Sequence, residues 1–199
     1  MKKKIVLIGG GGHCKVIIDA IEGCGEFNIY GIVDSSLPKG TPVLNIEVLG
    51  KDDILPELFK KGISHAFISV GSIGNCEIRK KIYKNLKAIG FKLPVIIHPK
   101  AVISKYAELG EGTFVAAGAV INAGTKIGKN VIINTSSSVD HDCEIGDFVH
   151  IAPGATLSGG VKVGDNTHIG VGASIVQCLT LKENSFIKAG ALITGSITK

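Results

Sequence analysis

The sequence lacks the features that mark a disulfide-bonded, zinc-ribbon or membrane protein. Its five cysteines are an odd set without any CxxC pair: Cys14, Cys24, Cys76, Cys143 and Cys178. Their odd number and spacing argue against a disulfide framework or a zinc ribbon and favour a reducing compartment. The apolar run after Lys2–Lys4 lasts only about five residues before glycines begin, too short for a signal-peptide core or a membrane span. We therefore expect a cytoplasmic protein without a membrane partner.

Positive charge is in slight excess but is not concentrated. The net charge is +5, from 22 Lys and Arg against 17 Asp and Glu, and the lysines form only short runs such as Lys80-Lys81. A nucleic-acid-binding protein concentrates its positive charge on one face, so no nucleic-acid partner is expected. A mild positive field does suit anionic phosphate ligands. With 45% hydrophobic residues, the chain has enough apolar side chains for a packed core.

The second half of the chain repeats with a period of six. Every sixth residue from Ile97 is Ile, Leu or Val, without an insertion: Ile97, Ile103, Leu109, Val115, Ile121, Ile127, Ile133, Val139, Ile145, Ile151, Leu157, Val163, Ile169, Ile175, Leu181, Ile187 and Ile193. A period of six fits neither an α-helix nor a simple alternating strand. It predicts short strands joined by tight turns, each strand presenting one aliphatic side chain to a shared interior.

This pattern resembles the hexapeptide-repeat family, in which three hexapeptides form one triangular coil. The resemblance implies a left-handed parallel β-helix and assembly into a homotrimer. Parallel crossovers are normally right-handed, so the handedness comes from the resemblance and not from the spacing.

The first half reads as an α/β unit of the βαβ, or Rossmann-like, kind. A strand at 4–8 leads into the turn Gly9-Gly10-Gly11-Gly12-His13 and an apolar helical stretch, and a second strand at 28–33 ends at Asp34. This arrangement binds nucleotides at the carboxyl edge of the sheet. The dinucleotide fingerprint is not met, and a plain tight turn between strand and helix is the alternative. We predict two domains, 1–94 and 95–199.

Four stretches in the two halves of the chain stand out: Gly10-Gly11-Gly12-His13, Val33-Asp34, the stretch from Gly71 through Asn75 to Lys81, and the stretch from Asn134 to Asp142. Together they resemble the bacterial acetyltransferases that act on nucleotide-linked amino sugars, a family that includes sialic acid O-acetyltransferases. The resemblance implies N-acetylation of a UDP-4-amino-sugar type of substrate, with acetyl-CoA as co-substrate on the β-helix. Sugar O-acetylation is the alternative, and a non-catalytic nucleotide-sugar-binding partner protein is a further one.

His141 is the candidate catalytic residue. It lies between Asp140 and Asp142 in a turn of the repeat, and a neighbouring carboxylate orients an imidazole and raises its basicity. By resemblance His141 is the general base, and the family has a supporting Glu where this chain has Asp142. Asp142 is one methylene shorter, so either Asp142 or Asp140 could support the ring.

The remaining site residues follow from the resemblance. It implies that acetyl-CoA contacts His150, Gly159, Val171 and Ala189, and that the nucleotide sugar contacts Gly11, Gly12, His13, Asp34, Ser35, Gly71 and Asn75. No metal is expected, because zinc-binding hexapeptide proteins have two histidines about five residues apart and this repeat does not. Cys143 falls at an inward, small-residue position of the repeat and is predicted to pack rather than react.

Overall fold

The computed structural model describes residues 2–198 and divides the chain into two compact units. One unit holds the residues up to Gly71 together with Glu77–Ile96. The other holds Ser72–Cys76 together with the residues from Ile97 onward. Within residues 2–198, no helix is long and apolar enough to cross a membrane. The same part of the chain contains no group of three or more His, Cys, Asp or Glu placed to hold a metal ion.

The N-terminal unit is an α/β sandwich built on a five-stranded sheet. In chain order its elements are β1 (Lys3–Ile8), α1 (Gly12–Cys24), β2 (Phe27–Val33), β3 (Pro42–Val43), β4 (Ile46–Gly50), a 3-10 turn (Asp52–Ile54), α2 (Leu55–Lys60), β5 (His65–Ile68) and α3 (Glu77–Ile89). The strand order is β3-β4-β2-β1-β5. β1, β2, β4 and β5 are parallel, and β3 pairs antiparallel with β4. The predicted βαβ unit is confirmed, whereas β3 and β4 were not predicted.

The C-terminal unit is a left-handed parallel β-helix made of two-residue strands. Sheet I contains β6 (Ile96–Ile97), β9 (Phe114–Val115), β12 (Ile132–Ile133), β15 (His150–Ile151), β18 (His168–Ile169) and β21 (Phe186–Ile187). Sheet II contains β7 (Val102–Ile103), β10 (Val120–Ile121), β13 (Ser138–Val139), β16 (Thr156–Leu157), β19 (Ser174–Ile175) and β22 (Leu192–Ile193). Sheet III contains β8 (Glu108–Leu109), β11 (Lys126–Ile127), β14 (Glu144–Ile145), β17 (Lys162–Val163) and β20 (Thr180–Leu181).

The period-six aliphatic residues form the interior of this β-helix, as predicted. All of them from Ile103 to Ile193 belong to one core cluster or pack against it. Ile97 is the exception, with 37% of its surface exposed at the start of the repeat. The small residues two positions before these aliphatics, such as Thr113, Ala119 and Val131, are fully buried. Cys143 is likewise buried in this core, where a thiol packs as a small apolar group.

Each coil turns at three corners, which we name I–II, II–III and III–I after the sheets they join. One corner residue in six has a left-handed backbone, for example Gly112 at φ +70°. Glycine avoids the steric cost there, but Asn130, Ser136, Asp142 and Phe148 hold the same conformation in other coils. Two residues before Gly112, Gly110 has no positive φ. An added Cβ at Gly110 would lie 2.5 Å from the carbonyl oxygen of Gly128 in the next coil, so close stacking requires glycine there.

Candidate active site

The II–III corner between β13 and β14 presents His141 to solvent, with 61% of its side chain exposed. The Nδ1 atom of His141 lies 2.9 Å from Oδ2 of Asp142. Asp142 is the residue of this turn with the left-handed backbone, at φ +59°. Aspartate tolerates that conformation better than most residues. The shorter carboxylate therefore does reach the imidazole ring, which the sequence left open.

Asp140 has a different role in the same turn. Its Oδ1 accepts a hydrogen bond from the backbone N–H of His141 at 2.8 Å and another from Nδ2 of Asn122 at 2.8 Å. Its backbone carbonyl accepts a hydrogen bond from the Thr125 hydroxyl at 2.6 Å. Asp140 thus holds the backbone of the turn, while Asp142 contacts the ring.

The electrostatics of the corner favour the charged form of His141. The hydrogen bond to Asp142 and, secondly, the negative charge of Asp140 raise the pKa of His141 above its ordinary value. With a carboxylate at Nδ1, the neutral ring carries its proton on Nδ1 and leaves the Nε2 lone pair to accept a proton. This is the tautomer that a general base requires.

Gly159 lies one coil beyond His141 on the same corner, directly under the imidazole. A Cβ added to Gly159 would lie 2.6 Å from both Cε1 and Nε2 of His141. The backbone of Gly159 has no positive φ, and Ala123 and Ala189 occupy the same phase of the repeat in other coils. The missing side chain therefore leaves room for the ring rather than serving a special backbone conformation.

His150 is nearly buried, at 9% exposure, and both of its ring nitrogens are engaged within the C-terminal unit. Nδ1 lies 2.6 Å from the carbonyl oxygen of Ser72, and Nε2 lies 3.1 Å from Nδ2 of Asn134. Because the carbonyl can only accept, Nδ1 is the donor and Nε2 accepts from the asparagine amide. The ring packs edge-to-face against His168, which lies 18 residues further along the chain on the neighbouring strand, and His168 stacks on Phe186. The predicted contact of His150 with acetyl-CoA stays a prediction.

The remaining predicted cofactor contacts lie on another corner. Val171 and Ala189 occupy successive coils of the I–II corner, between β18 and β19 and between β21 and β22. Val171 is exposed, and its carbonyl accepts the N–H of Gly190 at 2.8 Å. One protomer therefore places the predicted cofactor residues on two different edges of sheet II, and does not bring Val171 and Ala189 to the corner of His141.

In the N-terminal unit, the glycine turn leads directly into α1, with Gly11 as the N-cap. The Asp34 carboxylate fastens this turn, accepting the N–H groups of Gly10 at 2.7 Å, Ser36 at 2.8 Å and Leu37 at 2.9 Å. Burial alone would raise the pKa of Asp34, but these three donors outweigh burial and lower it. An added Cβ at Gly10 would lie 2.6 Å from Cδ1 of Leu37, so a side chain at this position would require Leu37 to move.

Two adjoining cavities open at this edge of the N-terminal sheet. The smaller, of about 460 Å³, is lined by six of the seven residues predicted to bind the substrate: Gly11, Gly12, His13, Asp34, Ser35 and Gly71. The seventh, Asn75, belongs to the segment Ser72–Cys76 of the other unit and lies near His150 there.

The larger cavity, of about 620 Å³, shares the predicted residues Asp34 and Ser35 with the smaller one and is otherwise lined by residues that were not predicted to bind the substrate. Four of them, Ile78, Lys81, Ile82 and Asn85, come from one face of α3, and Asp52 comes from the 3-10 turn. Their spacing of three, four and seven residues is that of a helix face, which is a signal the sequence does contain. Lys81 adds a cationic group suited to a phosphate.

Both halves of the chain are similar to known proteins. Residues 4–86 match the PglD N-terminal domain, and residues 124–159 match the bacterial transferase hexapeptide of six repeats. Perosamine N-acetyltransferase from Caulobacter crescentus, solved in complex with CoA and GDP-perosamine, superposes with a TM-score of 0.91 at 39% identity, over 98% of this chain and 90% of that one. The chain belongs to this family of acetyl-CoA-dependent sugar acetyltransferases.

Two further relatives support the assignment to the PglD-type acetyltransferases. The acetyltransferase domain of PglB from Neisseria gonorrhoeae FA1090, in complex with acetyl coenzyme A, has a TM-score of 0.87 at 38% identity, over 99% of this chain and 93% of that one. UDP-N-acetylbacillosamine N-acetyltransferase of Bacillus subtilis (strain 168) is 34% identical over 115 residues, 58% of this chain. The matched stretch spans about half, 52%, of that curated relative.

Proposed function

We propose that the protein transfers the acetyl group of acetyl-CoA to the amino group of a nucleotide-linked amino sugar, with His141 as the general base. The observation that carries this proposal is the 2.9 Å contact between Nδ1 of His141 and Asp142, which prepares Nε2 to accept a proton. Relatives named as N-acetyltransferases favour an amine over a hydroxyl as the acceptor.

In the proposed reaction, Nε2 of His141 removes a proton from the sugar amine as its nitrogen attacks the thioester carbonyl carbon. The tetrahedral intermediate then collapses, the C–S bond breaks, and the proton held by His141 passes to the leaving CoA sulfur. The products are the N-acetylated sugar and free CoA thiol. The backbone N–H of Gly159, under the imidazole, is our candidate donor to the developing oxyanion.

The nucleotide sugar is proposed to bind in the two cavities of the N-terminal unit. The start of α1, with Gly11, Gly12 and His13, offers backbone N–H groups and a favourable dipole to a diphosphate. Lys81 supplies a positive charge in the adjoining cavity. The carboxylate of Asp34 already accepts hydrogen bonds from three backbone N–H groups. We therefore propose that Asp34 stabilises the conformation of the loop and does not bind the ribose or base directly.

Acetyl-CoA is proposed to lie on the β-helix between two copies of the chain. Gly159 and His141 sit on the II–III corner, and Val171 and Ala189 sit on the I–II corner, so one protomer offers only part of the cofactor site at each corner. Placing the I–II corner of a second copy beside the II–III corner of the first would complete the set. A closed homotrimer provides this arrangement three times.

The outward side chains of sheet II suit such packing. They carry no charge: Val102, Val120, Ser138, Thr156, Ser174 and Leu192. Sheet III instead presents Glu108, Lys126, Glu144 and Lys162, with an exposed ion pair of 2.9 Å between Lys162 and Glu144, as a solvent-facing sheet does. We therefore place the contact between protomers along sheet II. The five free cysteines also fit the reducing cytoplasm that we propose as its location.

The test is turnover of acetyl-CoA, followed as free thiol, with a panel of UDP-, GDP- and dTDP-linked amino sugars and with sialic acid. Turnover on a nucleotide-linked amino sugar, with a product carrying an amide, would support the proposal. Turnover on sialic acid alone would replace it with O-acetylation, and binding of nucleotide sugars without any turnover would favour a partner protein. The oligomeric state by sedimentation, with a charged residue placed on sheet II as Thr156→Glu, tests the trimer.

A further inference from the structure

The exposed position of His141 raises the question of what fixes its direction. Most of the side chain is open to solvent, and its ring forms a hydrogen bond with the flanking Asp142 carboxylate above the position that a Cβ of Gly159 would occupy. A base that loses its orientation loses rate, because proton transfer requires the acceptor atom within hydrogen-bond reach of the attacking nitrogen. Because His141 and Asp142 are both residues of this turn, the orientation of the ring depends on the backbone of the corner as well as on the Asp142 carboxylate.

Two residues of the preceding coil hold that backbone. Asn122 lies 18 positions before Asp140 and donates from Nδ2 to its Oδ1 at 2.8 Å, and the same oxygen accepts the N–H of His141 at 2.8 Å. Thr125 donates its hydroxyl proton to the Asp140 carbonyl at 2.6 Å and accepts the N–H of Cys143 at 3.2 Å. The Asp140–His141 peptide and the Asp142–Cys143 peptide are thereby tied to the preceding coil.

We propose that Asn122 and Thr125 are positioning residues for the catalytic base. The hydrogen bond from Asn122 fixes the carboxylate of Asp140, so that Oδ1 of Asp140 keeps its hydrogen bond from the backbone N–H of His141. Thr125 holds the carbonyl of Asp140 and the N–H of Cys143, the two ends of the peptide segment that carries the ring. This inference rests on the proposed role of His141 as the base. It means that the preceding coil contributes to the reaction by fixing the orientation of His141.

The same fold supplies matched controls at corners away from His141. Thr113 donates to the Gly128 carbonyl at 2.9 Å and accepts the N–H of Val131 at 3.2 Å, the same pair of bonds that Thr125 makes, but on the III–I corner. Asp147 accepts the N–H of Lys129 from the neighbouring coil at 2.7 Å, also on the III–I corner. Thr113→Val therefore removes the same pair of bonds as Thr125→Val, and Asp147→Ala removes a side-chain hydrogen bond between coils, both without touching the His141 turn.

The experiment compares Asn122→Ala and Thr125→Val with Asp147→Ala and Thr113→Val. We expect the first two variants to lower kcat at least about tenfold, with KM for both substrates retained, whereas the controls keep kcat. Loss of thermal stability should be similar in each matched pair. Amide hydrogen exchange measured by NMR supplies a readout independent of turnover. The exchange rate of the His141 N–H should be higher than in the wild type for Asn122→Ala and unchanged for Asp147→Ala.

Unchanged kcat and unchanged His141 exchange in Asn122→Ala would overturn the inference, as would an equal loss of kcat in the control variants. A raised KM with full kcat would also overturn it, because these residues would then act in binding. Failure of the proposed function looks different. In that case the wild-type protein itself releases no thiol with any amino sugar, and the exchange measurement alone decides whether Asn122 holds the turn.

Discussion

Replacing Gly159 with alanine should displace the imidazole of His141 while leaving the β-helix intact. The added Cβ would lie 2.6 Å from Cε1 and Nε2 of the ring, whereas ordinary contacts begin at 3.4 Å, so the ring must move by roughly 1 Å. The neighbour that must give way is a flexible, exposed side chain, and the backbone at Gly159 has no positive φ. The fold should therefore accept the methyl group at little cost.

A shift of about 1 Å in a catalytic group costs on the order of a hundredfold in rate, or roughly 2.7 kcal/mol. We expect Gly159→Ala to lower kcat by about that factor, measured as thiol release at saturating acetyl-CoA and amino sugar, with a melting temperature close to wild type. Gly195→Ala is the matched control, because a Cβ there meets nothing within 4 Å and its φ is not positive.

The outcome separates two roles for Gly159. A kcat within about twofold of wild type would refute the placement of the ring over this glycine in the working enzyme. A raised KM for acetyl-CoA with full kcat would show instead that Gly159 serves only the cofactor. A loss of folding in Gly159→Ala but not in Gly195→Ala would contradict the inference that Ala123 and Ala189 show this phase of the repeat to accept a side chain.

Three more substitutions test the site. Asp142→Asn keeps a residue that tolerates φ +59° but removes the charge that raises the pKa of His141. Because the rate rises with pH as the base loses its proton, the rate of this variant should reach its plateau at a lower pH than in the wild type. The control Asp147→Asn should leave the pH profile unchanged. Asp34→Asn should raise the KM for the nucleotide sugar about tenfold by losing acceptors for the glycine turn, and an unchanged KM would refute that role. Its lowered pKa means that the stability Asp34 contributes is complete above the ordinary aspartate pKa and is lost as pH falls through the lowered value. Cys143→Ala should keep kcat and lower the melting temperature, and a loss of kcat would contradict a packing role.

The repeat could be predicted from the sequence because each hexapeptide commits one side chain to the interior. Ile103 to Ile193 pack inward without a break in the six-residue spacing, so the period is visible along the whole repeat. The short strands β3 and β4 could not be predicted in the same way. They comprise Pro42–Val43 and Ile46–Gly50, too few residues to show a period, and their pairing depends on the neighbouring sheet edge.

The residue types of the site could be predicted from the sequence, but the contact that each residue makes could not. Sequence placed two aspartates beside His141, yet the left-handed backbone of Asp142 decides which one reaches the ring. Asn122 lies 18 residues away, and only the stacking of coils reveals its bond to Asp140. For His150, the buried contact with the Ser72 carbonyl spans 78 positions, a separation that no local pattern reports.

The most direct test of the account is the His141→Ala variant on the acceptor sugar found for the wild type. We expect kcat to fall by at least about a thousandfold, since the base is removed, while acetyl-CoA and the nucleotide sugar bind with wild-type Kd by calorimetry. Retained binding with lost turnover would establish His141 as the group that performs the proton transfer. Turnover within about tenfold of wild type would show that another group serves as the base and would contradict the central claim.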